Sequence, residues 1–200
     1  NLTSNICSNI IMPTAGKGGG WNVEPYNLQE YLPNLLGFFP VTTENGGNDT
    51  ELWLSDGSKI CVPRKTKTVL SDLAKVFAKD ICLVKRQAGQ VLGYKRDLPL
   101  LLTADLVLVP LKVREAEFKD QGTVGYCIYQ GVDTVQPLKE GTYRSALVFK
   151  NSEVLFTLNT VSKVRQKLSE ARELLSYENR RLSLLKNRSL ELCAETVSKY

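Results

Sequence analysis

The chain has 200 residues and no histidine. That absence excludes Ser-His-Asp and Cys-His nucleophilic schemes, His-ligated metal centres and imidazole proton shuttles. No two of the five cysteines, Cys7, Cys61, Cys82, Cys127 and Cys193, share a C-x-x-C spacing, which argues against a zinc knuckle. Their odd number argues against a disulfide scaffold, so the sequence predicts reduced, mostly buried thiols. No basic region followed by an apolar run opens the chain, so no signal peptide is expected and the predicted location is cytoplasmic. Long apolar runs are missing too. The most apolar stretch, Leu98 to Leu111, is broken by Pro99, Asp105 and Pro110, and it is too short to span a bilayer. No membrane partner and no cofactor are expected. Carboxylates such as Glu115, Glu117, Asp120 and Asp133 show no acid–base or metal-ligand spacing, so the chain reads as a binder and not as an enzyme.

What is present is ordinary for a globular protein: 42% hydrophobic and 24% charged residues. The length allows one compact domain or two small ones. Residues 1–50 read as an irregular N-terminal segment, punctuated by glycine and proline, with Leu28 to Leu36 as the one short helix. The run Gly16-Lys17-Gly18-Gly19-Gly20 lacks the G-x-x-x-x-G-K-[ST] pattern of a phosphate-binding loop and reads as a flexible loop.

Residues 51–175 read as an α+β core of antiparallel strands, hairpins and a few helices. Leu52-Trp53-Leu54 and Lys59 to Val62 flank Ser55-Asp56-Gly57-Ser58, and Asp-Gly between apolar runs predicts a hairpin. Val69, Leu70, Leu73, Val76 and Phe77 then share one face of a helix. Ile81 to Arg86 and Val91 to Lys95 read as a second hairpin turning at Ala88-Gly89. Leu100 to Leu102, Leu106 to Val109 and Thr123 to Tyr129 read as strands, and Gly131 to Gly141 as a turn-rich connector. The first hairpin and helix then recur 95 residues on. Leu52 answers to Leu147, Leu54 to Phe149, Asp56 to Asn151, Ile60 to Leu155, Val69 to Val164 and Leu73 to Leu168. The pattern predicts a duplicated ββα unit, set against the alternative that two common hairpin–helix units coincide.

The second helix runs on as a long C-terminal helix, and residues 176–200 read as its extension. Val161, Val164, Leu168, Ala171, Leu175, Leu182, Leu185 and Leu192 keep heptad-like spacing, with Asn179-Arg180-Arg181 as a candidate break. Arg165, Lys167, Arg172, Arg181, Lys186 and Arg188 flank that seam, and same-sign flanks oppose a parallel homodimer. Residues 161–200 therefore read as a basic helix packed on the domain or meeting an acidic protein partner.

The net charge of +5 is unevenly placed. From Lys59 to Asp97 ten basic residues oppose Asp72, Asp80 and Asp97, which makes +7; Val161 to Tyr200 carries +4, and the remainder is acidic. Lys85-Arg86 and Lys95-Arg96 fall on opposite arms of the expected hairpin, with Gln87 and Gln90 at its tip. Such a ribbon can follow phosphates or enter a groove, and Gln87 and Gln90 could read base edges. Arg64, Lys65 and Lys67, just ahead of a helix, would add backbone contacts. Double-stranded DNA is the expected partner.

Leu70-x-Asp72-x-x-x-x-Phe77 followed by Arg86-x-Ala88-Gly89 resembles the bacterial competence transcription factor ComK. The resemblance continues through Pro99-Leu100, Leu108-Val109-Pro110, Cys127 and Phe149-x-Asn151, and it covers about residues 60–165. It implies an oligomeric transcription activator that binds AT-rich boxes largely through the minor groove, with the family's basic and Ala-Gly element falling on Arg86, Ala88 and Gly89. This chain lacks the family's histidines, and residues 1–50 and 176–200 have no counterpart in it. A protein-interaction module docking an acidic partner and a nucleic-acid enzyme are the alternative functions.

Overall fold

The computed structural model describes residues 26–42, 48–116, 121–138 and 141–197. The Gly16–Gly20 run, Cys7, Glu117 and Asp120 lie outside them, as does the Cys193 side chain.

The fold is α+β, and all its described strand pairs are antiparallel. Six strands form one sheet. They are β1 (Leu35–Thr42), β2 (Asn48–Leu54), β3 (Lys59–Val62), β4 (Leu100–Thr103), β5 (Leu106–Lys112) and β6 (Val124–Ile128), in the order β3-β2-β1-β6-β5-β4. A second sheet holds β7 (Val132–Pro137), β8 (Ser145–Phe149) and β9 (Val154–Thr157), in that order. The helices are α1 (Leu28–Tyr31), α2 (Thr66–Val76), α3 (Ile81–Leu92) and the long α4 (Val161–Val197).

The six-stranded sheet is buried on both faces. That is why β1 and β5 read as continuous apolar runs without alternation. On one face Phe38, Leu52, Leu100 and Leu108 pack with Val69, Leu70 and Leu73 of α2 and Val84 of α3. On the other, Phe39, Val107, Val109 and Leu111 meet Leu147, Phe149 and Leu155 of the second sheet and Val164 and Ala171 of α4. Cys127 is buried here with its thiol pushed up to about 12 by desolvation, whereas Cys61 and Cys82 are exposed. The expectation of mostly buried thiols therefore holds for one of the three described.

The ββα unit recurs in register. β3 and β9, and the first residues of α2 and α4, stand 95 residues apart. Small contacts repeat at the same offset. Asp56 Oδ1 accepts from the Ser58 amide at 2.9 Å, as Asn151 Oδ1 does from the Glu153 amide at 3.1 Å. Gly57 and Ser152 hold the matching left-handed positions, at φ 86° and 69°. The buried Thr50 hydroxyl donates to the Arg64 carbonyl at 2.7 Å, and the buried Ser145 hydroxyl to the Asn159 carbonyl at 2.8 Å. Each hydroxyl therefore pins the residue before a helix cap. The repeat extends to three strands, since β1 and β7 both shift register by one residue against the equivalent stretch of their neighbours. The two hairpin tips touch: Asn151 Nδ2 donates to the Ser55 carbonyl at 3.3 Å, and Lys59 pairs with Glu153 at 3.2 Å.

Four expectations are corrected. Residues 35–42 and 48–50 are not irregular, because β1 and the start of β2 lie there. Residues 131–141 are not merely a connector, because β7 occupies most of them as an edge strand with polar residues outward. Helix α4 runs unbroken through Asn179-Arg180-Arg181. The stretch from Ile81 to Leu92 is one helix and not an arm of a hairpin.

Candidate nucleic-acid interface

Local signals explain why α3 is helical. Asp80 caps its start, its carboxylate accepting from the amides of Cys82 at 2.6 Å and Leu83 at 3.1 Å. Gly93 closes its end in the left-handed region at φ 79°, its amide bonded to the Gly89 carbonyl at 3.0 Å. Val84, Ala88 and Val91 fall at i, i+4, i+7 and face inward. Gly89 is not a turn residue. A Cβ there would lie 2.9 Å from the Tyr94 carbonyl oxygen, so glycine lets the following loop fold back along the helix.

That return replaces the expected ribbon with a helix and a loop folded back along it. Lys85 and Arg86 are exposed on α3, one turn before Gly89. Lys95 and Arg96, also exposed, directly follow the Tyr94 carbonyl that rests on Gly89. The loop is anchored from below by α4. The buried Lys167 ammonium donates to the carbonyls of Asp97 at 3.2 Å and Pro110 at 2.9 Å, and the Tyr94 hydroxyl donates to Glu170. Burial holds the Lys167 ammonium below the usual lysine range, and burial with the Glu170 carboxylate holds the Tyr94 phenol above its own. Gln90 is exposed on α3, but Gln87 is half-buried and lines a small cleft with Leu174 and Tyr177 of α4. Neither Gln sits on a hairpin tip.

Arg64, Lys65 and Lys67 are exposed at the start of α2, where Lys65 is the cap residue and gives no side-chain cap. Arg64 stacks over the Tyr26 ring at 5.6 Å. The Tyr26 hydroxyl donates to Asp72 at 3.2 Å, and its phenol is pushed up to about 12 by burial first and by the Asp72 carboxylate second. Asp72 also takes the Lys75 ammonium at 3.0 Å.

Between the helices lie Phe77, Ala78, Lys79 and Asp80. The Lys79 amide reaches the Ala74 carbonyl at 2.9 Å and the Ala78 amide the Lys75 carbonyl at 2.9 Å, with Ala78 left-handed at φ 51°. This double closure stops α2 and redirects the chain into α3 within four residues. Lys79, expected outward on the preceding helix, lies in this turn, and Cys82 and Leu83, expected on a strand, lie at the exposed start of α3. Asp80 followed by an apolar run was the signal that could have found them.

Glu115 is exposed and Asp133 stands exposed on β7. Among the described residues no group of three or more Cys, Asp or Glu could hold a metal ion. No helix among them is long and apolar enough to cross a membrane. No protein-family model, no curated protein and no solved structure matches the chain.

Proposed function

We propose that this chain is a double-stranded DNA-binding transcription regulator whose contact surface is the α2–turn–α3 unit. The observation that carries the reading is the set of exposed cations on that unit: Arg64, Lys65 and Lys67 where α2 begins, Lys79 in the turn, Lys85 and Arg86 on α3, and Lys95 and Arg96 where the loop returns. Two helices of 11 and 12 residues joined by a four-residue turn have the dimensions of a helix–turn–helix, in which the second helix enters the major groove. Cations beside the positive end of α2 disfavour the helix by about 0.3–1 kcal/mol each, and a phosphate at that end would reverse the sign. In this reading Arg64, Lys65, Lys67, Lys85 and Arg86 hold phosphates, while Gln90 faces base edges. AT-rich minor-groove recognition rests on the family resemblance alone, because the ribbon expected to enter that groove is a helix.

The test is a titration of labelled AT-rich, GC-rich and single-stranded DNA at two salt concentrations, with and without magnesium. Duplex binding is expected without cleavage. A Lys85→Ala, Arg86→Ala double change should lower the salt slope by about two units. Binding should survive netropsin, which occupies AT-rich minor grooves. An absence of duplex binding at low salt refutes the proposal, and magnesium-dependent cleavage makes the chain an enzyme. An unchanged slope removes α3 from the interface.

A further inference from the structure

Beyond Glu178 the described side chains of α4 stand clear of the domain. A helix of 37 residues is about 55 Å long, yet the buried ones among its described side chains, Val164, Lys167, Glu170, Ala171 and Leu174, all lie in the first half. From Asn179 to Arg188 every residue is exposed. Leu182 is 39% exposed, Leu184 71% and Leu185 56%. The apolar stripe does not stop where the domain does. Val164, Leu168, Ala171 and Leu175 pack on the core, and the same alternating steps of three and four lead on to Leu182 and Leu185. Three large leucines on ten exposed residues are poor design for a helix that stays in water, and an isolated helix of this length is marginal.

We propose that this overhang docks an acidic amphipathic helix of another protein. Charge selects that occupant. Glu178 to Arg188 carries Arg180, Arg181, Lys186 and Arg188 against the one carboxylate, Glu178, and Arg181 and Lys186 border the leucine seam. A second copy of the chain is disfavoured in either orientation. A parallel pairing sets Arg181 against the partner copy's lysine at position 186, and an antiparallel one sets like flanks, again cationic, against each other. A nucleic acid would use the cations but leave the leucines wet. A helix with leucines on its seam and glutamates on its flanks satisfies both. This inference stands independently of DNA binding.

The probe is a labelled 28-residue helical peptide with Leu at both seam positions of each heptad and Glu on both flanks. Its counterpart carries Lys on the flanks. Titrated against the full chain and read by anisotropy, the Glu peptide should bind, weaken with added salt, and outbind the Lys peptide by at least tenfold. Leu182→Ser with Leu185→Ser, both on exposed positions, should cut that affinity tenfold or more with an unchanged unfolding temperature. Arg181→Glu with Lys186→Glu should transfer the preference to the Lys peptide. No binding of the Glu peptide, equal binding of both peptides, or retention in the Leu182→Ser, Leu185→Ser chain overturns the proposal. A dimer of the free chain that the leucine changes dissolve assigns the seam to a second copy and also overturns it. Loss of duplex DNA binding in the Arg181→Glu, Lys186→Glu chain, with no binding of the Glu peptide to the parent, assigns the overhang to nucleic acid and also overturns it.

Discussion

Replacing Gly89 with alanine sets two effects against each other. In a helix interior alanine is favoured over glycine by about 1 kcal/mol, so propensity alone predicts a more stable protein. The fold predicts the reverse. The new methyl would lie 2.9 Å from the Tyr94 carbonyl oxygen and 3.6 Å from a Leu98 methyl, and the closer neighbour is backbone. To reach ordinary contact the loop must move by about half an ångström. It is held by the Lys167 bond to the Asp97 carbonyl, by the Tyr94–Glu170 bond and by buried Leu98. Losing one hydrogen bond to a charged group costs about 1.5–3 kcal/mol. The net expectation is a loss of about 0.5–2 kcal/mol, or a drop of roughly 1–8 °C in unfolding temperature for a chain of this size. Urea unfolding followed by circular dichroism would measure it, with Gly93→Ala as the control that meets no atom within 4 Å and bears only left-handed strain. A Gly89→Ala chain as stable as the parent, or more stable, would mean that the loop does not rest on α3.

Three other outcomes are expected. Thr50→Val and Ser145→Ala should each cost about 1–3 kcal/mol, since each orphans the carbonyl before a helix, and urea midpoints that move for only one of them would break the equivalence of the two units. Ala78→Gly should gain about 0.5–1 kcal/mol by relieving the left-handed alanine after α2, measured by the same unfolding; a loss would mean that the turn is otherwise built. The Tyr26 phenol, at 10.0 unperturbed and about 12 when folded, binds its proton more tightly in the native state. Its contribution is therefore whole below pH 10 and lost as pH rises toward 12, so Tyr26→Phe should flatten the alkaline fall of the urea midpoint, and an identical profile would exclude that linkage.

The sequence spoke clearly where local chemistry and tertiary demand agree. Asp56-Gly57 between apolar runs marked the first hairpin, and the same spacing 95 residues later marked the second. At α3 they diverge. Ala88-Gly89 looks like a turn because glycine breaks helices, but this glycine answers to the Tyr94 carbonyl outside its own helix, a contact that exists only once the following loop has folded back. β1 was hidden by Gly37 and Pro40. Gly37 is required because a Cβ would meet the Tyr126 carbonyl oxygen at 2.7 Å, and Pro40 is tolerated because β6 pairs with β1 only at Gly37 and Phe38. The candidate interface was legible as a concentration of charge, and its shape was not. Lys85, Arg86, Lys95 and Arg96 were expected on two strand arms, whereas the first pair lies on α3 and the second on a loop that folds back against Gly89.

The position of β1 in mid-sheet carries a consequence for synthesis. Its first neighbour, β2, follows at once, but its second, β6, is about 90 residues downstream, where Gly37 meets Cys127. A ribosome adding about 5–20 residues per second needs roughly 5–20 s to deliver it. Until then the run Leu35 to Pro40, buried throughout in the finished fold, has one bare edge and an uncovered face. The nascent chain is most exposed to misassociation in that interval. Slowing translation between β1 and β6 should therefore lower soluble yield more than slowing it anywhere after β6.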